Sequence, residues 1–306
     1  LTVINDNSPA HGLLNDWGWS LLVESDRWRF LFDAGPSPEI LENNFRALNL
    51  KLEGLSFAFL SHPHHDHYGG LPAVAKANPG MKVYVPAGAA RCVPQGLKAV
   101  EVEGIGEVAE DFWSTGTFRS SPVDEQSAVV KVGRKNVLLV GCSHPGIGRI
   151  AEFVGSRFGD VFFVIGGFHQ PPEEQLRKAF SAAMYVAPAH CSGDEAKRMA
   201  RELGGRYVEV RTGTSIAIEE DEKPTVIRPR AYGLTLPFSG PLAWLLQHIK
   251  LIWFYSSLPG QQGLSDYSSS ILPPFSGVPV PTIMSSSPVK TRHELPPICS
   301  MGTRKL

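Results

Sequence analysis

The stretch SHPHHDHYGG, residues 61–70, decides how this chain is read. Four histidines and one aspartate fall within six positions, directly after the apolar run LSFAFL and before two glycines. A lone histidine is ordinarily a hydrogen-bonded structural residue, but that reading does not account for His62, His64, Asp66 and His67 together. On an extended strand end, side chains two residues apart project from one side, so His62 and His64 form a two-pronged grip on a single ion. Once the chain turns, Asp66 and His67 face a second position, while His65 points away. Nitrogen and carboxylate donors in this mixture suit zinc, with iron or manganese as alternatives.

Outward from this loop, residues 1 to about 220 alternate strand-like and helix-like segments. WSLLVES and WRFLFDAG read as consecutive strands, and residues 38–49 as a helix with Ile40, Leu41, Phe45 and Leu48 on one face. LSFAFLSH is a strand running into the histidine loop, LPAVAKANPG a helix and MKVYVPAG the next strand. Later strands are SAVVKVG, KNVLLVGCSH, DVFFVIGG, AMYVAPAH and RYVEVRTG, with helices at GIGRIAEFVGSRF, PPEEQLRKAFSA and SGDEAKRMARELG. Runs such as VLLV and VFFVI lack polar alternation, which predicts strands covered on both faces. Hairpins first and strand–helix alternation later favour two sheets between helix layers over one doubly wound sheet.

The texture changes after residue 222. Residues 229–306 hold eleven of the 25 prolines and two SSS runs, so 223–306 reads as an irregular, largely disordered tail. Its apolar stretch, residues 241–255, is a candidate short helix, interrupted by Gln247, His248 and Lys250 and shorter than the ~20 residues that span a bilayer. Formal net charge is −1, from 29 basic and 30 acidic residues, which gives no electrostatic case for nucleic acid or an anionic membrane as partner. The cysteines (Cys92, Cys142, Cys191, Cys299) are scattered without a CxxC pair, and LTVINDNSPA has neither the basic start nor the apolar stretch of a signal peptide. The cytoplasm is the expected compartment.

His62-x-His64-x-Asp66-His67 resembles the HxHxDH signature of the metallo-β-lactamase-fold superfamily. FDAGPS at 32–37 is similar to the strand-end Asp-x-Gly of that superfamily, which implies that Asp33 supports the ligand loop; read by itself, Asp33 equally suits a turn before Gly35-Pro36. GCSHPGI (141–147), IGGFH (165–169) and APAHCSG (187–193) look like later motifs of a subgroup containing dihydropterin-aminobenzene-ribofuranosyl-phosphate synthase-like proteins. The resemblance covers about residues 1–220 and implies an α/β, four-layer αββα sandwich. It implies His190 as the last metal ligand and His144 as a further one. His169 is a ligand or a substrate contact. Where most of the superfamily has a bridging Asp, this chain has Cys142, which is either a thiolate ligand or a small buried residue. The usual third histidine of the first site has no counterpart in residues 115–127, so His144 is the candidate replacement. One or two ions both remain open.

The expected sets are His62, His64 and His144 for one ion and Asp66, His67 and His190 for the other, with Asp66 also holding the attacking water. Zinc lowers the pKa of water it binds to about 7 and polarises a carbonyl or phosphoryl oxygen. Hydrolysis of a small anionic ester or phosphoester is therefore the leading expectation. A dihydropterin synthase-like transferase is the first alternative, and a non-catalytic metal- or ligand-binding protein the second. Ser143 is not in a G-x-S-x-G elbow and reads as structural. Ser192-Gly193-Asp194-Glu195 reads as a capping box, Pro145-Gly146 as a helix start, and Arg119 as a surface charge or phosphate contact. The specificity pocket is expected to be built by loops such as residues 86–124.

Overall fold

Apolar strands without polar alternation need cover on both sides, and the computed structural model, which describes residues 1–227, supplies it. The strands of the first half are β1 (Thr2–Asn5), β2 (Ser20–Glu24), β3 (Arg29–Phe32), β4 (Phe57–Phe59), β5 (Lys82–Pro86), β6 (Lys98–Val102) and β7 (Gly106–Ala109). Those of the second are β8 (Phe112–Ser114), β9 (Ala128–Val132), β10 (Lys135–Val140), β11 (Val161–Gly167), β12 (Ala183–Ala189), β13 (Ser215–Ala217) and β14 (Thr225–Ile227). The helices are α1 (Pro38–Ala47), α2 (His65–Tyr68), α3 (Leu71–Ala77), α4 (Ile147–Phe158), α5 (Glu173–Ala182) and α6 (Gly193–Glu202).

Two sheets result. The eight-stranded one runs β14-β13-β1-β2-β3-β4-β5-β6 and the six-stranded one β12-β11-β10-β9-β8-β7. Alternate side chains divide each strand between two apolar layers. Leu21, Val23, Phe30 and Phe32 face Val137, Leu139, Phe163 and Ile165 between the sheets. Leu22 and Leu31 turn outward onto Leu41, Phe45 and Val74 of α1 and α3. On the other side, Leu138, Val140 and Val164 pack on Ile150, Leu176 and Met199 of α4, α5 and α6. This is the expected four-layer αββα sandwich. Phe112 keys the centre, with ring centroids 4.4 Å from Phe30, 5.2 Å from Phe57 and 5.5 Å from Phe59.

Parallel pairing places the site. β3 to β4 is parallel in one sheet, and β10 to β11 to β12 in the other. The loops leaving those strands carry Asp33, residues 61–67, 141–144, 169 and 190. Two close approaches let them meet. A Cβ on Gly141 would lie 2.1 Å from Ser61 Oγ, and one on Gly70 would lie 2.1 Å from the Ala34 carbonyl oxygen. Glycine is the residue that permits such contacts.

Several local expectations differ from the structure. RYVEVRTG is not a ladder strand: Val208 and Val210 alternate into the inter-sheet core, but pairing is confined to a Val186–Tyr207 bridge. Residues 86–124 are not only loops, since they contain β6, β7 and β8. Ser192 precedes α6 without capping it; its hydroxyl donates to the Ala189 carbonyl and accepts from Phe168 N–H. α4 is preceded by Gly146 at φ 101°, with Pro145 one residue further back. β14 lies just past the boundary read at residue 222. The rest of the tail, with the stretch 241–255, lies outside the described residues.

Candidate metal centre

The apolar run of β4 ends at Leu60, and the ligand loop begins at once. Ser61 and His62 are wholly buried, His64 is half-buried and His65 is exposed, as its outward reading required. α2 is the single turn on which Asp66 and His67 follow, both buried. At five points around the site a non-glycine backbone adopts left-handed φ: Asp33 (54°), Ser143 (63°), His169 (54°), Gln170 (44°) and His190 (46°). That conformation is uncommon for L-residues and gathers at functional sites.

Four imidazoles share one wiring rule. His67 Nδ1 donates to Asp33 Oδ2 at 2.7 Å. His62 Nδ1 lies 2.9 Å from Ser61 Oγ, whose own hydroxyl donates to Asp33 Oδ2 at 2.7 Å, so the ring nitrogen is the donor. His144 Nδ1 donates to Glu125 Oε2 at 2.8 Å. His190 Nδ1 donates to Asn7 Oδ1 at 3.0 Å, an oxygen that also accepts from Gly18 N–H. In each neutral ring this leaves the lone pair on Nε2. Fixing the tautomer through the outer nitrogen is what holds histidines for metal binding.

The inner nitrogens converge. His62, His64 and His144 offer ligand atoms within 4.8 Å of one another, and so do Asp66, His67 and His190. These are the two sets expected from the sequence. Cys142 lies between them, its Sγ 3.3 Å from His67 Nε2, and it can join His62 and His67 or His144 and His169 in further groups of the same tightness. His169 is exposed at the rim, its ring 4.4 Å from that of His144. Ser143 donates its hydroxyl to the Gly167 carbonyl at 2.7 Å, in keeping with a structural part. Arg119 is exposed and paired with Asp124 at 2.6 Å.

The charges suit cation binding. Burial, reinforced by His67, His144 and the neighbouring rings, holds His62 far below the ordinary histidine range, and burial with His144 and His67 lowers His64 to about 4. Both are neutral donors at pH 7. Burial alone would also depress His67, but the Asp66 and Asp33 carboxylates outweigh it and raise the ring to about 9. Burial opposes ionisation of Asp66, yet His67 and His190 hold it ionised well below the usual carboxylate range. Among the described residues, five buried side-chain polar atoms have no hydrogen-bond partner, and three of them are Asp66 Oδ1, His144 Nε2 and His190 Nε2. His190 Nε2 is 3.3 Å from Asp66 Oδ2 without hydrogen-bond alignment. Unsatisfied buried donors and acceptors are costly; an ion with His62, His64 and His144 would satisfy His144 Nε2, and one with Asp66, His67 and His190 the other two.

Apart from Asp33, sequence reasoning missed the residues that orient these groups. Glu125 is wholly buried and accepts from Cys142 N–H (3.0 Å) and Ser143 N–H (2.8 Å) on one oxygen, and from His144 N–H (2.8 Å) and the His144 ring on the other. Burial opposes its ionisation, but these hydrogen bonds hold it below the ordinary glutamate range. Asp6 Oδ1 accepts from His190 N–H at 2.6 Å, and the ring of the exposed Trp17 stands 5.1 Å from that of His190, tilted by 57°. The only sequence signal for Glu125 was an acidic residue entering the apolar run QSAVVKV.

A four-layer sandwich with a histidine–aspartate cluster at the ends of its parallel strands defines the protein's class. The chain belongs to the metallo-beta-lactamase superfamily, whose family model matches residues 18–187. It is 28% identical over 236 residues to an uncharacterized protein of Methanocaldococcus jannaschii, covering 64% of this chain and 91% of that one. It is 26% identical over 258 residues to the 7,8-dihydropterin-6-methyl-4-(beta-D-ribofuranosyl)-aminobenzene-5'-phosphate synthase of the same organism, covering 64% and 86%. Among solved structures, Tm1679, described as a metal-dependent hydrolase of the beta-lactamase superfamily, superposes with TM-score 0.58 at 25% identity, covering 71% of this chain and 98% of that one. The fold is also that of YhfI from Bacillus subtilis, with TM-score 0.51, 16% identity and coverage of 69% and 96%.

Proposed function

We propose that this protein is a metal-dependent hydrolase of a small anionic ester or phosphoester, with zinc as its ion. His62, His64 and His144 would hold one ion, and Asp66, His67 and His190 a second, with Cys142 placed between them. The observation that carries this reading is the coincidence of three unpartnered buried atoms, on Asp66, His144 and His190, with the two donor sets. Zinc in such a site supplies Lewis acidity, which acidifies water and polarises a carbonyl or phosphoryl oxygen.

The chain's own residues do the rest. Asp33 and Glu125 keep the donor rings in the tautomer that exposes Nε2. Asp66, held ionised by His67 and His190, orients the attacking water as a hydrogen-bond acceptor. His169, at the rim, meets the substrate. Residues 1–222 form the catalytic unit, and a reducing cytoplasm suits its buried thiols, Cys142 and Cys191. No helix among the described residues is long and apolar enough to cross a membrane.

The test is metal content per chain by plasma mass spectrometry after purification without added metal, with turnover across carboxylic ester, thioester and phosphoester panels. Zinc near two ions per chain with turnover of one ester class is expected. His64→Ala should lose the ion at its position while keeping its circular dichroism. A chain that takes up no zinc, or a His64→Ala variant that retains all of it, overturns the assignment. The synthase relative favours a second reading, a transferase joining a pterin pyrophosphate to an aminobenzene ribofuranosyl phosphate. That reading requires paired substrates and released pyrophosphate, whereas hydrolysis requires water alone.

A further inference from the structure

Of the three described cysteines, Cys92 is absorbed in the apolar layer under α1 and α3. Cys142 and Cys191 are equally buried, yet neither belongs to any of the three apolar clusters. Their sulfurs are 3.2 Å apart. Around them stand His67, with Nε2 3.3 Å from Cys142 Sγ, and His190, whose Nε2 is buried and unpartnered. Cys142, His190 and Cys191 offer donor atoms within 4.8 Å of one another. His190 is common to this group and to the group with Asp66 and His67.

The backbone makes room for the second sulfur. Cys191 follows His190 in a tight turn, and the left-handed φ of His190 (46°) turns the chain there. Opposite, Gly167 pairs with Gly141 through its N–H, and a Cβ on Gly167 would stand 2.7 Å from Cys191 Sγ. Any side chain at 167 would displace that sulfur. The glycine therefore opens a seat for Cys191 against Cys142, at the inner end of the ligand cluster.

We propose that Cys191 is a metal ligand and that, with Cys142 and His190, it gives the second ion position two sulfur donors. This rests on the two-position reading of the site and adds to it a residue and a selectivity. Two thiolates favour a thiophilic ion such as zinc, cobalt(II) or iron(II), and disfavour manganese and magnesium, which prefer oxygen. Binding releases the thiol protons to solvent and changes no oxidation state. The two sulfurs, 3.2 Å apart, are close enough for both thiolates to reach one ion.

The test uses the full chain, stripped of metal and reloaded anaerobically with cobalt(II). X-ray absorption at the cobalt edge, scaled by the cobalt bound per chain, should count two sulfur neighbours per chain in the unmutated protein. Cys191→Ser should bind the same number of cobalt ions with about half the thiolate-to-cobalt charge-transfer intensity, and Cys142→Ser should do likewise. One sulfur neighbour per chain, a charge-transfer band indifferent to Cys191→Ser, or a Cys142–Cys191 disulfide in the anaerobic loaded protein would overturn the proposal. In each of those cases cobalt is still bound, so the two-position reading survives. A chain that binds no cobalt at all removes both.

Discussion

Replacing Glu125 by glutamine tests the wiring of the site with a change of one atom. The carboxylate accepts four hydrogen bonds, from three backbone N–H groups and the His144 ring, between 2.8 and 3.0 Å. An amide keeps one acceptor oxygen and turns the other side into a donor. If its NH2 faces Cys142 and Ser143, two backbone N–H groups lose their acceptor. If it faces His144, the backbone N–H is opposed and the ring must move its proton to Nε2, which removes the lone pair meant for an ion. Hydrogen bonds to a charged buried partner contribute about 1.5–3 kcal/mol each, so losing two costs about 3–6 kcal/mol. Urea denaturation of chelator-stripped Glu125→Gln and parent protein measures this directly. Zinc affinity, by competition with a chromophoric chelator, should fall about 10–100-fold, the usual cost of losing a ligand's hydrogen-bonding support. A loss of stability below about 1 kcal/mol with unchanged zinc affinity would refute the reasoning.

Phe112→Ala should cost about 3–5 kcal/mol in the same denaturation experiment, because the ring is wholly buried among Phe30, Phe57 and Phe59. Its zinc stoichiometry should be unchanged. Gly141→Ala would drive a methyl group onto Ser61 Oγ and disturb both hydrogen bonds of that hydroxyl. Overpacking of this kind costs about 1–3 kcal/mol, and a fall in bound zinc without a change of fold is expected. His67, raised to about 9 before an ion binds, must release a proton to become a ligand. Uptake at the second position should therefore strengthen as pH rises towards 9. Calorimetry at pH 7 in buffers of different ionisation enthalpy should show about one His67-derived proton released in the stripped Cys142→Ser, Cys191→Ser double variant.

Much of this fold was legible because its signals are local. His62, His64, Asp66 and His67 sit on one strand end and one turn, so their chemistry is written in consecutive residues. His144 and His190 were legible from apolar runs that stop at a potential ligand. Glu125 was not, since it acts on His144 from a neighbouring segment and only tertiary contact connects them. Asn7 and Asp6, which brace His190 across more than 180 residues, were hidden for the same reason. Short-range patterns also misled. Ser192-Gly193-Asp194-Glu195 has the composition of a cap, but the serine hydroxyl is drawn to Ala189 and Phe168. In RYVEVRTG, alternation reported burial faithfully but said nothing of a pairing partner.

Asp33 braces donors belonging to both proposed ion positions: His67 directly and His62 through Ser61. One buried carboxylate thus fixes the donor rings of both proposed positions, so its loss would loosen the two together.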